Sequence, residues 1–130
     1  MQTIRIGQLE VSRFILGTNP VSGFSHQSPQ MDDRMRHYFK TQQVKRMFRE
    51  AESLGVNTII ARADHLVMRI FMEHWDEGGT AQWIAQTCPE VGTMERGIAN
   101  AINGDAVCVG IYDQDDPDML RRDIELLESA

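Results

Sequence analysis

The sequence predicts an α/β fold on a parallel sheet, built from four βα units. Three observations carry this. Four compact apolar runs, residues 14–19, 57–64, 82–87 and 106–112, end in polar residues and alternate with stretches of helical periodicity. At their centres the runs are continuously apolar, as strands covered on both faces are. Each gap between them is long enough for the helix that a parallel connection requires. A closed (β/α) barrel has eight such units and usually takes roughly 250 residues. Four units in 130 residues therefore describe a (βα)4 half of a TIM-type barrel in a single domain.

The elements can be justified in order. Thr3–Ile6 and residues 9–13 alternate apolar and polar side chains around Gly7-Gln8, which predicts an N-terminal β-hairpin. The first buried strand follows and stops at Gly17. Residues 19–40 read as a long irregular stretch rich in Ser, Gln, Pro and Gly, with 31–39 capable of helix; loops of this length are usually functional or mobile. Thr41 is the expected N-cap of a helix carrying Val44, Met47, Phe48, Ala51 and Leu54 at helical spacing, with Gly55 as its stop. After the second strand, 66–75 predicts a helix ended by Gly78-Gly79. The third strand is centred on 83–85, and its helix, 94–102, closes at Asn103-Gly104. The fourth strand leads to a helix opened by Asp116-Pro117, with proline at the first helical position. That last helix is expected to bury Leu120, Ile124 and Leu127.

Composition narrows the function classes. The formal charge is −6 and 42% of residues are hydrophobic. That gives enough apolar material for a core and no basic face for a nucleic acid. The mild basic cluster of Arg34, Arg36, Lys40, Lys45, Arg46 and Arg49 reads as a solvated helix face. No run approaches the roughly 20 apolar residues of a membrane span, and the N-terminus has no signal-like core, so a cytoplasmic protein is expected. Cys88 and Cys108 match no metal spacing and read as reduced, buried thiols.

The segments TIRIGQLEVSR, FILGTNPVSG and EAESLGVNTIIARAD resemble the aldo-keto reductase superfamily, in a divergent branch, over about residues 1–101. The resemblance implies a hairpin plugging the barrel bottom, Leu-Gly-Thr ending the first strand, and Leu-Gly-Val-Asn entering the second. The stretch GDAVCVGIYDQDDPDMLRRDIELLE resembles the terminal unit of that branch, with a join near residues 103–104. The family uses an Asp–Tyr–Lys–His tetrad. The match puts Ile60 where the Asp stands and Gln86 or Thr87 where the Lys stands, while His65 to Ile70 replace the region of the Tyr. The late strands that bind most of the cofactor phosphates are largely missing. The resemblance thus implies ancestry without reductase activity, and NAD(P) stands only as a family-based possibility.

In a barrel, residues at the C-terminal ends of the strands face the functional rim. Here these are Asn19, Arg62, Asp64, His65, Gln86, Thr87, Tyr112 and Asp113. Asp64 and His65 are the candidate catalytic pair, because a carboxylate beside an imidazole can orient a general base or supply two metal ligands. Asn19, Arg62, Gln86 and Asp113 form the candidate binding rim. Against this, Asp64 reads more readily as a helix cap, with Arg62 paired to a neighbouring carboxylate. Fewer than three convergent ligands are evident, so no metal is expected. Asp113, Asp115, Asp116 and Asp118 lack the glycine and distal glutamate of an EF-hand and read as capping. His26, His37 and His74 read as surface or partly buried polar groups.

Four parallel strands cannot close on themselves and would leave two unpaired edges and an apolar inner face. A homodimer or higher oligomer is therefore expected, in its simplest form a two-fold ring of eight strands. Both hairpins would then meet at one opening, so a swapped or open dimer is the alternative arrangement. Three function classes follow: a barrel-derived fragment that folds by association, a small-molecule binder or enzyme with a composite rim site, and an interaction protein pairing its edges with another chain.

Overall fold

A computed structural model describes residues 1–88, 92–111 and 116–130. The chain is a mixed α/β structure. Its elements are β1 (Thr3–Ile6), β2 (Leu9–Ser12), β3 (Leu16–Gly17), α1 (Asn19–Ser22), α2 (Pro29–Tyr38), α3 (Thr41–Ser53), β4 (Thr58–Arg62), α4 (His65–Asp76), β5 (Gln82–Thr87), α5 (Met94–Asn103), β6 (Cys108–Ile111) and α6 (Pro117–Ser129). Strands β1 and β2 form an antiparallel pair, and β3-β4-β5-β6 form a parallel sheet in that spatial order. Strand order follows chain order without reversal, so the sheet is wound in one direction only.

That winding sorts the two faces of the sheet. Ile59 and Ala61 of β4 and Trp83 and Ala85 of β5 pack with α3, α4 and α5 in one buried cluster, together with Val44, Phe48, Val67, Ile70, Phe71 and Ala101. Side chains alternate along a strand, so Ile60, Ile84 and Gly110 take the other face. A Cβ on Gly110 would lie 3.6 Å from Ile84 and 3.7 Å from Ile60. In register, Ile60 stands beside Ile84 and Ile84 beside Cys108. None of these belongs to the helix-packed cluster. The ladder advances evenly: Ile59 pairs with Trp83 and Ile84 with Cys108, each 24 residues on, whereas Leu16 pairs with Ile59, 43 residues on.

Aromatic stacking centres the helix-side core. Phe71 lies over Trp83 with ring centroids 5.2 Å apart, and Phe48 meets Phe71 at 5.0 Å. The Trp83 indole N–H donates to Ala61 O at 3.1 Å, satisfying the one polar atom of a fully buried side chain. The hairpin hangs from the N-terminal ends of the strands. Ser12 N donates to Asn57 Oδ1 at 2.7 Å, and the Asn57 and Gln82 amides both donate to Glu10 O.

Several expectations are corrected. The segment 14–19 contributes only Leu16–Gly17 to the sheet, because Asn19-Pro20 already starts a helical turn and Phe14 is exposed. The 19–40 stretch holds two helices, and the Ser28 hydroxyl caps α2 by accepting from Met31 N at 3.2 Å. Thr41 is the first residue of α3 and not its cap; Lys40 holds that place in extended conformation without a side-chain bond. Cys88 and Cys108 are half-buried and not bridged. Lys45 is buried, not solvated: its ammonium bonds Glu77 and lies 3.6 Å from Glu73, both on the α4 side. His74 is also fully buried. In α6, Leu120 and Ile124 are exposed and Leu127 is only half-buried, while Asp123 is the buried residue. The periodicity located an apolar stripe but could not supply the neighbour to cover it.

Between α3 and α4 a buried polar cluster takes the place of apolar packing. Glu52 Oε1 accepts from His74 Nε2 at 2.8 Å, Thr80 N at 2.7 Å and Ala81 N at 2.6 Å. Burial works to raise the Glu52 carboxyl, but the His74 ring and the two amides outweigh it and hold the group below the usual carboxylate value.

Candidate functional site

The C-terminal ends of β3, β4 and β5 bring part of the expected rim together. Arg62 and Gln86 are register neighbours on β4 and β5, on the face away from the helix-packed cluster. The Arg62 guanidinium sits 5.8 Å from the centroid of the Phe24 ring, which the α1–α2 connection carries over the strand ends. Its Nε lies 3.6 Å from Asp64 Oδ2 and makes no hydrogen bond.

Asp64 is the N-cap of α4, and its Oδ1 accepts from Val67 N at 2.8 Å. One oxygen is thus committed to the helix start and the other faces Arg62. Both of its oxygens thus have partners within the fold. His65 follows as the first residue of α4 and is exposed, and no hydrogen bond joins it to Asp64 among the described residues. The two candidate catalytic side chains therefore do not act on each other.

Asn19 points elsewhere, its amide 3.3 Å from His26 Nε2. The Thr18 hydroxyl ties β3 to β4 by donating to Ile60 O at 3.0 Å. Thr87 packs against Gly97, where a Cβ would come within 2.9 Å of its methyl group, and its hydroxyl donates to Gly110 O at 3.3 Å. Asp113, with Tyr112 and Asp115, lies outside the described residues.

Compared with protein-family models, curated proteins and solved structures, the chain matches none. The site is accordingly read from its own atoms. Among the described residues no group of three His, Cys, Asp or Glu side chains converges as a metal site. No helix among them is long and apolar enough to cross a membrane. Ile60 presents an apolar side chain that cannot take part in proton transfer. Arg62 lies against Asp64 and Phe24, and the Asn19 amide against His26.

Sequence reasoning missed Phe24 as a rim residue. A lone aromatic in a Ser-rich loop was the available signal, and it acquires meaning only when α2 folds the loop back over Arg62. The cap reading of Asp64 yields a test. Replacing Asp64 with alanine is expected to cost about 1 kcal/mol, the usual worth of a side-chain cap. Urea unfolding measures this, and an unchanged midpoint would remove the cap assignment.

Proposed function

We propose that this chain is an association module: a half-barrel of aldo-keto reductase-like ancestry, without reductase chemistry, that completes its sheet with a second copy of itself. The strand order carries the reading. A parallel sheet wound in one direction has its helices on one side, and β3 and β6 each pair on one side only among the described residues. Exposed backbone on two edges, beside a face bearing Ile60 and Ile84, favours pairing with an identical sheet. Two copies related by a two-fold axis would join β6 of one to β3 of the other, twice, giving eight strands. The hairpin ties to Asn57 and Gln82 leave each hairpin under its own β4 and β5.

The expected result in sedimentation equilibrium or native mass spectrometry is a species of twice the 14.8 kDa chain mass. A folded, monodisperse monomer across the micromolar range would defeat the proposal.

A second reading has one specific observation behind it. Arg62, whose Nε is buried without a hydrogen bond, stands in register with Gln86, and two such donor side chains suit a small carboxylate or phosphate. A shift in melting temperature with inorganic phosphate, lost in Arg62→Gln, would favour a composite rim site.

A further inference from the structure

The helix layer has two partly open flanks, and they are complementary. Successive residues of an α-helix turn by about 100°. In α3, Val44, Phe48 and Ala51 face the core. Lys45, Arg49 and Glu52 stand about 80–140° to one side of Val44. That flank is taken by α4, through Glu73, Glu77 and His74. On the other side, about 60–100° from Val44, stand Gln43, Met47 and Leu54. There the flank opens into a cleft of about 180 Å³ bordered by Tyr38, Phe39 and Arg46. Gln43 Oε1 is buried at this cleft with no hydrogen-bond partner, and Leu54 is 73% exposed.

Helix α6 presents the converse. Asp123 and the half-buried Leu126 and Leu127 face the chain, where α6 touches α5. Leu120 and Ile124 stand about 60–100° from Asp123, in the same rotational sense that takes α3 to α4. They are 36% and 41% exposed. In a layer wound in one direction each helix meets its successor on the same side, so α6 has an apolar flank and no successor. On its opposite flank α3 meets only the end of α2, Tyr38 and Phe39, across the cleft.

We infer that α6 of one copy seats on the open cleft of the α3 flank of the second copy, placing Leu120 and Ile124 against Met47 and Gln43, with the same seam repeated by the two-fold axis. This rests on the half-barrel reading and adds the helix seam that would hold it. Charge favours the same occupant. Residues 116–130 carry five carboxylates against two arginines, whereas residues 29–50, leaving aside the Lys45 and Arg49 that pair with α4, carry four lysines and arginines against three carboxylates. The two segments therefore attract when brought together, and a second α6 of like charge would be repelled from the first.

The test is complementation on the full chain. Ile124→Glu and Gln43→Lys, with Met47→Lys as a second α3 variant, each place one charge in both seams of a homodimer. Each is expected to weaken self-association at least ten-fold by sedimentation velocity, with helical circular dichroism unchanged. Mixing Ile124→Glu with Gln43→Lys should restore association, because the mixed dimer holds one wild-type seam and one Glu–Lys seam. If wild type dimerises but neither variant alters it and mixing has no effect, the seam is overturned while the half-barrel reading stands. If wild type is monomeric throughout, both fall.

Discussion

Replacing Trp83 with alanine is expected to lower the unfolding free energy by about 4 kcal/mol, in the range of large aromatic truncations in a core. Trp83 is fully buried and its ring is shared by three parts of the structure. It stacks on Phe71 of α4, donates to Ala61 O of β4, and closes against Gly104 at the end of α5, where a Cβ would come within 2.6 Å of the indole. The void left by alanine would be lined by Phe71, Met68 and backbone already fixed by the β4–β5 ladder, so little collapse can refill it. Urea unfolding at a fixed protein concentration measures the change, since association would otherwise shift the midpoint. A loss below about 1 kcal/mol would mean that the core does not depend on this ring.

Glu52→Gln is expected to cost about 3 kcal/mol near neutral pH and to flatten part of the acid side of the stability profile. Glu52 joins α3 to His74 of α4 and to the backbone entering β5, and no other group can answer those three donors. Its carboxyl is held below the usual carboxylate value of 4.5 by the His74 ring and the two amides, which outweigh burial. The stabilisation is therefore present above that value and is lost as pH falls through the lower folded pKa. Wild type should lose stability from about pH 4.5 downward, and the Gln variant should lose less over the same window. Parallel slopes in the two proteins would show that the carboxylate is not what ties the helices.

Much of the architecture was readable from the chain. The runs around Ile59, Trp83 and Val109 are apolar because one face of the strands packs under the helices while Ile60 and Ile84 line the other, and Asp64 and Asp116 sit where helix starts need side-chain acceptors. What escaped was pairing at a distance. Lys45 looks like its solvated neighbours until Glu73 and Glu77 arrive from another helix, 28 and 32 residues away. His74 looks like a surface histidine, although it shares a helix face with Ile70 and Phe71, and that spacing was the missed clue. Leu120 and Ile124 erred in the other direction, since a helical stripe reports which side is apolar and not whether anything lies beside it. At the candidate site the strand-end position of Arg62 and the cap at Asp64 were legible. The lid of Phe24 over Arg62 was not, because it depends on how α1 and α2 fold back.

The uneven spacing of the ladder bears on how this chain can change. Moving from one strand to the next takes 24 residues in the later units and 43 in the first. The surplus of 19 is nearly the length of the Asn19–Tyr38 segment holding α1 and α2. That segment is thus an insertion in a regular repeat, spliced between the end of β3 and the start of α3. Lengthening or exchanging its α2 part leaves the strand pairing in register, while Val21 of α1 packs against the helix-side core. Any recognition the protein acquires can be rewritten there without renegotiating the scaffold.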